Sequence, residues 1–209
     1  MQQTKKLFVS FLKKGGWVII LLLAFMYKAS TFRISENFFE VEKGRFYRSA
    51  QLNESEFKDV VDKYHIKTVL SLRGPPAKTI WYDEEEKIMA DLGLHFEYLG
   101  MKDEYYPTQD QMHQILTVLK EGPYPILIHC RNGSDRTGLV SAIYKKYFMN
   151  TSDAEAKAEL SFKYWHVPYF KPAMNQFFEK IRSLSWLENE YNICDPEFAE
   201  FRNPRILCL

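Results

Sequence analysis

The chain has 209 residues, of which 46% are hydrophobic and 16% aromatic, so it can bury an ordinary core, which argues against global disorder. Its net charge of +1 is uneven, since residues 1–35 hold six basic residues and no acidic one, while residues 36–209 hold 22 basic and 27 acidic residues. An acidic domain without a basic stripe argues against a nucleic acid partner. Three cysteines with no Cys-x2-Cys pair and no His/Cys cluster argue against a metal site.

A basic arm, residues 1–15, precedes a continuous apolar run from Trp17 to Tyr27. This order is typical of a signal sequence, although the run is shorter than the roughly 20 residues of a spanning helix. No cleavage site with small residues follows the run. We therefore expect an N-terminal hydrophobic helix that acts as an uncleaved signal-anchor within residues 1–35. Residues 36–209 would form a folded domain on the periplasmic or extracytoplasmic side; the alternatives are a cleaved, secreted form and a buried core helix.

After a predicted linker at residues 28–44, strands and helices alternate along the chain. An edge strand and turn are predicted at Arg45–Gln51, and later strands at Lys67–Gly74, His95–Met101 and Tyr124–Cys130. Capping boxes and apolar spacing predict six helices. Two are predicted by their starts, directly after Asn53 and directly after Thr108. The other four are predicted at Glu84–Leu92, Arg136–Met149, Ser152–Tyr164 and Lys171–Leu187.

Strands separated by helices imply an α/β fold, in which a central, mostly parallel sheet is covered by helices on both faces. The carboxyl end of the strand Tyr124–Cys130 is then the expected ligand-binding edge. After residue 188 the pattern becomes irregular, and we expect residues 192–209 to pack as an extra arm. For Cys194 and Cys208, two free thiols are favoured over a disulfide.

The stretch from His129 to Gly138 reads His-Cys-Arg-Asn-Gly-Ser-Asp-Arg-Thr-Gly and joins the last predicted strand to a helix. A loop that opens a helix binds anions, because its unpaired N–H groups and the helix dipole favour negative charge. The same field stabilises a thiolate, so Cys130 is expected to be nucleophilic at neutral pH. The planar fork of Arg136 suits two oxygens of a phosphoryl group, and Gly133 allows a positive φ.

This stretch resembles the active-site loop of the cysteine-dependent tyrosine and dual-specificity phosphatases. A second stretch, Tyr47–Gln51, is similar to the Tyr-Arg-Ser-Ala-Gln opening of bacterial dual-specificity-like phosphatases, including periplasmic ones, and we interpret it as a fold marker. The resemblance implies a cysteinyl-phosphate mechanism without metal or cofactor, in which Cys130 attacks phosphorus and Arg136 holds the phosphoryl oxygens. The substrate-binding residues would be Arg131, Asn132, Gly133, Ser134, Asp135 and Thr137.

In that family an Asp on a loop upstream of the cysteine donates the proton to the leaving group. Asp103, in the acidic loop Lys102–Pro107 and 27 residues before Cys130, is the expected donor. Asp135, directly before Arg136, is the rival, because it resembles lipid-acting and bacterial relatives in which that Asp is proposed to supply the proton. The resemblance gives His129 a structural role, with a catalytic Cys–His pair as the alternative.

The expected partners are phosphorylated proteins, with phosphotyrosine ranked first, phosphoserine or phosphothreonine second and phosphoinositide lipids third. The membrane is the further partner, through the N-terminal helix. Two other functions remain open at this point: a phosphate-binding pseudophosphatase, and sulfur transfer on a rhodanese-like loop. Thr137 and Gly138 after Arg136 favour the phosphatase over sulfur transfer.

Overall fold

The computed structural model describes residues 16–73 and 80–208, and residues 28–35 by their backbone alone. The chain divides into two compact units, one ending at Glu36 and the other beginning at Asn37. In the first unit, helix α1 runs from Trp17 to Ser35. The sequence predicts a membrane anchor here, but no helix in the described ranges is long and apolar enough to cross a membrane. The basic arm and the last residue of the strand predicted at Lys67–Gly74 lie outside the described residues.

The second unit is built on a five-stranded sheet with the order β1-β2-β5-β3-β4. Strand β1 is antiparallel to β2, and the other neighbouring strands are parallel. The predicted α/β fold with a mostly parallel sheet is therefore confirmed. The strands are β1 (Phe39–Glu42), β2 (Phe46–Ser49), β3 (Thr68–Ser71), β4 (His95–Tyr98) and β5 (Ile126–His129).

Helices cover both faces of this sheet. The helices are α2 (Glu54–Tyr64), α3 (Ile80–Asp91), α4 (Gln109–Glu121), α5 (Asp135–Tyr147), α6 (Asp153–Lys157), α7 (Pro172–Lys180) and α8 (Leu184–Asn189), with 3-10 turns at Phe162–Tyr164 and Pro196–Phe201. Three capping boxes begin α2, α4 and α6, as predicted; their caps are Asn53, Thr108 and Ser152.

The central strand β5 shows how the core divides between the two faces. Ile126 and Ile128 point to the larger cluster, which is packed by α4, α5, α7 and α8. Leu127, between them, points to the smaller cluster formed with α2 and α3. All three side chains are fully buried, which agrees with the unbroken apolar run of a strand covered on both faces.

Several predicted boundaries are wrong. The stretch 28–44 is not a linker throughout, because α1 continues to Ser35 and β1 begins at Phe39. The helix predicted at Ser152–Tyr164 ends at Lys157 and is followed by a separate 3-10 turn. The helix predicted at Lys171–Leu187 is two helices, α7 and α8.

The tail packs against the domain as an arm, as predicted, but its cysteines are not free. Phe198 is fully buried in the larger cluster. A disulfide joins Cys194 to Cys208 with 5.4 Å between their Cα atoms. The prediction of two free thiols is wrong because the chain after Phe198 folds back on the segment before it, a long-range contact that residue spacing does not reveal.

Candidate active site

Strand β5 ends at His129 and helix α5 begins at Asp135, so residues 130–134 form a tight loop between them. Cys130 leads this loop and is a buried, free cysteine. Arg136 lies in the first turn of α5. The strand, loop and helix therefore occur where the sequence predicts them. Their order aims the N-terminus of a 13-residue helix at the loop, which is a geometry that attracts anions.

Gly133 gives the loop its shape. Its φ of +67° lies in the left-handed region, which favours glycine. A Cβ atom at this position would lie 2.6 Å from the carbonyl oxygen of Ser49. The loop can therefore approach the end of β2 only because residue 133 has no side chain.

Three long-range hydrogen bonds hold the loop from outside. The Arg48 guanidinium donates to the Gly133 carbonyl oxygen at 2.7 Å. The Asn37 side-chain amide donates to the Asn132 carbonyl oxygen at 2.9 Å. The Gln51 backbone N–H donates to the Arg131 carbonyl oxygen at 3.3 Å. Three carbonyl groups of the loop are thus tied to the surrounding fold.

Arg48 is itself completely buried. Its Nη1 lies 2.6 Å from Oε2 of Glu159, and its Cζ lies 3.8 Å from the centre of the Tyr164 ring. A buried guanidinium needs such a partner, because its desolvation is otherwise uncompensated. The stretch Tyr47–Gln51, interpreted from sequence as a fold marker, therefore also supports the loop, and sequence reasoning missed this role of Arg48.

The Arg136 side chain reaches back over the end of the sheet. Its Nη1 donates to the carbonyl oxygens of Leu72 at 3.4 Å and Met101 at 3.1 Å. Its Nε is buried and has no hydrogen-bond partner among the described residues. These backbone contacts fix the guanidinium at the mouth of the loop, and Nε remains a donor for an anionic ligand.

Asp103 lies on the loop that follows β4. Lys171 Nζ is 2.9 Å from Asp103 Oδ2 and 3.1 Å from Glu104 Oε1. Burial works to raise the pKa of the Asp103 carboxyl, but the hydrogen bond from Lys171 and the charge of Arg136 outweigh it, and the pKa lies below its ordinary value. Asp103 therefore feels the charge of Arg136, and its role as the proton donor stays a prediction.

Asp135 is held in a different way. Its Oδ1 lies 2.6 Å from Nδ1 of His166, which is fully buried. The other ring nitrogen of His166 contacts the side-chain oxygen of Asn175 on α7. This chain of contacts ties the Asp135 carboxylate to the domain. Sequence reasoning missed His166, since no spacing links it to the loop.

The other predicted loop residues divide into buried and exposed positions. Thr137 is fully buried, and its hydroxyl has no partner among the described residues. Ser134 is buried and its hydroxyl donates to the Asn132 carbonyl oxygen at 3.4 Å. Arg131 and Asn132 are exposed at the outer rim of the loop. In the described ranges no group of three or more His, Cys, Asp or Glu side chains is arranged to hold a metal ion.

His129 has a carboxylate neighbour that the sequence does not predict. Its Nε2 lies 2.8 Å from Oε1 of Glu85, and both side chains are essentially inaccessible to solvent. The Nδ1 of His129 lies 3.4 Å from the carbonyl oxygen of Cys130. Glu85 lies in a predicted helix, where carboxylates are usually solvated, so its burial beside His129 is not visible in the sequence.

Comparison with known proteins identifies the family. The family model described as a DSP-PTPase phosphatase fused to NAD+ kinase matches residues 27–173, which include the whole Cys130 loop. The chain belongs to this phosphatase family. It is a cysteine-dependent phosphatase of the tyrosine or dual-specificity type, as the sequence predicts. No curated protein sequence matches the chain.

Solved phosphatase structures share the fold. P. aeruginosa TpbA, in complex with pTyr, is 17% identical to the phosphatase, with a TM-score of 0.60 over 74% of this chain and 89% of that one. The core catalytic domain of the PP-IP phosphatase SIW14 from S. cerevisiae, in complex with citrate, is 25% identical, with a TM-score of 0.58 over 69% of this chain and 85% of that one.

Proposed function

We propose that the chain is a phosphomonoester hydrolase that acts through a cysteinyl-phosphate intermediate on Cys130. The observation that carries the proposal is the Cys130 loop itself, with the cysteine at the end of β5 and Arg136 in the first turn of α5. The positive φ of Gly133 supports a loop that curls around an anion. In this proposal Arg136 binds two phosphoryl oxygens through its planar fork.

The reaction has two balanced steps. The Cys130 thiolate attacks phosphorus, the bond from phosphorus to the ester oxygen breaks, and Asp103 gives its proton to the departing oxygen. A water molecule then attacks the cysteinyl-phosphate and loses a proton to the Asp103 carboxylate, which releases inorganic phosphate and restores the thiolate. Thr137, with its buried hydroxyl beside the loop, assists the departure of the sulfur in the second step.

Two observations favour Asp103 over Asp135 as the proton donor. Asp103 is on a loop separate from the Cys130 loop, and its interaction with Arg136 supports a position at the pocket mouth, where a leaving group departs. Asp135 is held by His166 at 2.6 Å, which restrains its side chain. The lowered pKa favours the ionised form of Asp103, whereas an acid must be protonated to donate. In this proposal the bound phosphate dianion offsets the charge of Arg136, so that Asp103 can take up the proton it donates.

Phosphotyrosine in proteins is the proposed substrate. TpbA, which shares this fold, was solved in complex with pTyr. The second candidate is a substrate with more than one phosphate, such as a phosphoinositide with Asp135 as the acid, or an inositol pyrophosphate. The observation that favours it is that the Arg73 guanidinium feels the charges of Arg131 and Arg136, which together with burial lower its pKa. A pseudophosphatase is the third candidate. The intact Cys130 and Arg136 argue against it.

We further propose that the domain works in an oxidising, extracytoplasmic compartment. The disulfide between Cys194 and Cys208 supports this location, because such bonds persist in secreted and periplasmic proteins and are rare in the cytosol. Thiol labelling of the protein isolated from its native compartment tests the location. Labelling of Cys194 and Cys208 without prior reduction would contradict it.

The proposed function is tested by turnover and binding on a substrate panel. The wild-type protein should release phosphate from a phosphotyrosine peptide faster than from phosphoserine peptides, phosphoinositides or inositol pyrophosphates. Cys130→Ser should abolish release on every substrate and still bind the phosphotyrosine peptide, because the loop N–H groups and Arg136 remain. Phosphate release by Cys130→Ser would refute the mechanism. Faster release from an inositol substrate than from the phosphotyrosine peptide would make the inositol substrate the proposed one.

A further inference from the structure

A carboxylate on a different element lies directly behind the Cys130 loop. Glu85 belongs to α3, on the face of the sheet opposite to α5, and its residue is only 1% exposed. Burying a carboxylate is costly unless partners compensate it. Its immediate neighbours Glu84 and Glu86 are both exposed, so α3 directs this one acidic side chain into the protein.

Four partners surround the Glu85 carboxylate. His129 Nε2 is 2.8 Å from Oε1, and the Gln51 amide donates to the same oxygen at 2.9 Å. The hydroxyls of Ser71 and Tyr98 each donate to Oε2 at 3.4 Å. Burial works to raise the pKa of the Glu85 carboxyl, but His129, Gln51 and the charge of Arg73 outweigh it and bring the pKa below its ordinary value. Glu85 is therefore an ionised, acceptor-only group.

His129 accordingly faces an oxygen acceptor on each side of its ring. Nε2 faces the Glu85 carboxylate, and Nδ1 faces the Cys130 carbonyl oxygen at 3.4 Å. A neutral imidazole has one N–H and can donate to one of these acceptors, whereas an imidazolium can donate to both. The arrangement therefore favours the imidazolium next to the proposed nucleophile.

We propose that Glu85 is a positioning residue for the nucleophile: it holds His129 as a buried imidazolium against Cys130, and this charge stabilises the thiolate. The inference rests on the proposed function, in which Cys130 is the nucleophile. An opposite charge held in a dry interior acts more strongly than one in water. Glu85 touches no substrate and acts only through His129.

The same acid is wired to the rim of the loop. The Gln51 amide that bonds Glu85 also accepts a hydrogen bond from Arg73 at 3.1 Å, and the Gln51 backbone N–H holds the Arg131 carbonyl oxygen. Glu85 thus fixes both the residue before Cys130 and the residue after it, His129 and Arg131.

Other charged and titratable groups face this cluster, and all of them stay in place in the test variants. The groups are Arg48 on β2, Arg73 after β3, Tyr98 on β4, Asp103 on the loop after β4 and Arg136 on α5. The charges of Arg48 and Arg73 both interact with Cys130. Since these cations remain, removing Glu85 should shift the titration of the nucleophile without abolishing thiolate formation.

The test measures the rate at which iodoacetamide alkylates the full chain as a function of pH. Cys130 is the one free cysteine, because the other two form a disulfide, so the alkylation reports a single thiol. Glu85→Gln keeps the shape and loses the charge. Its alkylation midpoint should move to higher pH by about one unit, giving a roughly tenfold slower reaction on the acidic side and the same plateau at high pH.

Matched controls separate this effect from a general loss of charge. Glu84→Gln and Glu86→Gln remove exposed carboxylates on the same helix and should leave the midpoint unchanged. His129→Gln should move it in the same direction as Glu85→Gln, and the double variant should move it no further, because both changes remove one interaction. An unchanged midpoint in a folded Glu85→Gln protein, or additive shifts in the double variant, would overturn the inference.

A second measurement needs no Glu85 variant and covers the case in which that variant does not fold. The imidazole nitrogen chemical shifts of the wild-type protein distinguish an imidazolium from either neutral tautomer, with His129→Gln identifying the signal. Neutral shifts for His129 at neutral pH would overturn the inference. Neither experiment depends on turnover, so phosphate release by Cys130→Ser would refute the proposed mechanism while leaving the alkylation result intact.

Discussion

Arg48 and Gly133 are 85 positions apart, yet the guanidinium of the first donates a 2.7 Å hydrogen bond to the carbonyl oxygen of the second. The bond joins the end of β2 to the Cys130 loop at its tightest residue. Because Arg48 also pairs with Glu159 and is completely buried, its position is fixed by the core. The shape of the loop is thus controlled from beneath by a residue that does not line it.

Replacing Arg48 should therefore affect both stability and activity. Arg48→Met should lower the free energy of unfolding by up to about 3–5 kcal/mol, because the buried Glu159 would lose its closest cation and keep only Lys145 at 3.3 Å. A displaced loop should lower kcat/KM by up to about 100-fold. Urea unfolding and steady-state kinetics measure the two effects. Arg45→Met, which removes an exposed arginine of the same hairpin, should change stability by less than about 1 kcal/mol; equal effects of the two substitutions would contradict this role.

The two candidate acids should respond differently to the leaving group. Asp103→Asn should slow hydrolysis of a phosphotyrosine peptide by about 10²–10⁴-fold, since a positioned acid is worth that much. It should slow an activated aryl phosphate much less, because that leaving group hardly needs a proton. Asp135→Asn should slow both substrates by similar factors, because it loosens the loop from His166. The reverse pattern would assign the proton to Asp135 and favour the phosphoinositide alternative.

Replacing Lys171 tests whether the Asp103 carboxyl sets the pH dependence of kcat. Lys171 lies 2.9 Å from Asp103 and favours its ionised form, so Lys171→Met should raise the pKa of that carboxyl. Because the proposed acid must be protonated to act, the alkaline limb of the kcat profile should move to higher pH. Lys180→Met, at the other end of α7, serves as the control and should leave that limb in place. A limb that stays fixed or moves to lower pH in Lys171→Met would exclude Asp103 as the titrating group.

The tail disulfide should contribute to stability. It closes a segment with a sequence separation of 14, so the double substitution Cys194→Ser and Cys208→Ser should lower the free energy of unfolding by about 2–4 kcal/mol. A reducing agent should destabilise the wild-type protein by a similar amount and leave the double variant unaffected. Thermal unfolding with and without reductant measures the difference. Equal sensitivity of the two proteins to reductant would show that the bond does not matter for folding.

The sequence predicts the parts of the fold that local patterns encode. The apolar run Ile126–Ile128 marks the buried central strand, and the caps Asn53, Thr108 and Ser152 mark helix starts, because each acts within a few residues of itself. The Cys130 loop is predictable for the same reason, since its glycine, cysteine and arginine lie within one short stretch. Local patterns fail where contacts between residues distant in sequence decide the structure. The helix predicted at Ser152–Tyr164, which ends at Lys157, is an example.

The supporting residues of the site could not be predicted, because their partners are distant in sequence. Glu85 reads as one acidic residue among several on α3, and only the packing of α3 against the sheet buries it beside His129. His166 reads as an isolated histidine until the chain after α6 brings it to Asp135. Both depend on tertiary packing, which overrides the default expectation that helical carboxylates are solvated.

Trapping the cysteinyl-phosphate shows whether Cys130 is the nucleophile. The wild-type phosphatase is mixed with a phosphotyrosine peptide carrying labelled phosphate, quenched with acid before the first turnover is complete, digested and analysed by mass spectrometry. We expect label on the peptide that contains Cys130, and none in Cys130→Ser or after prior alkylation of the thiol. Label on another residue, or turnover by Cys130→Ser at the wild-type rate, would contradict it.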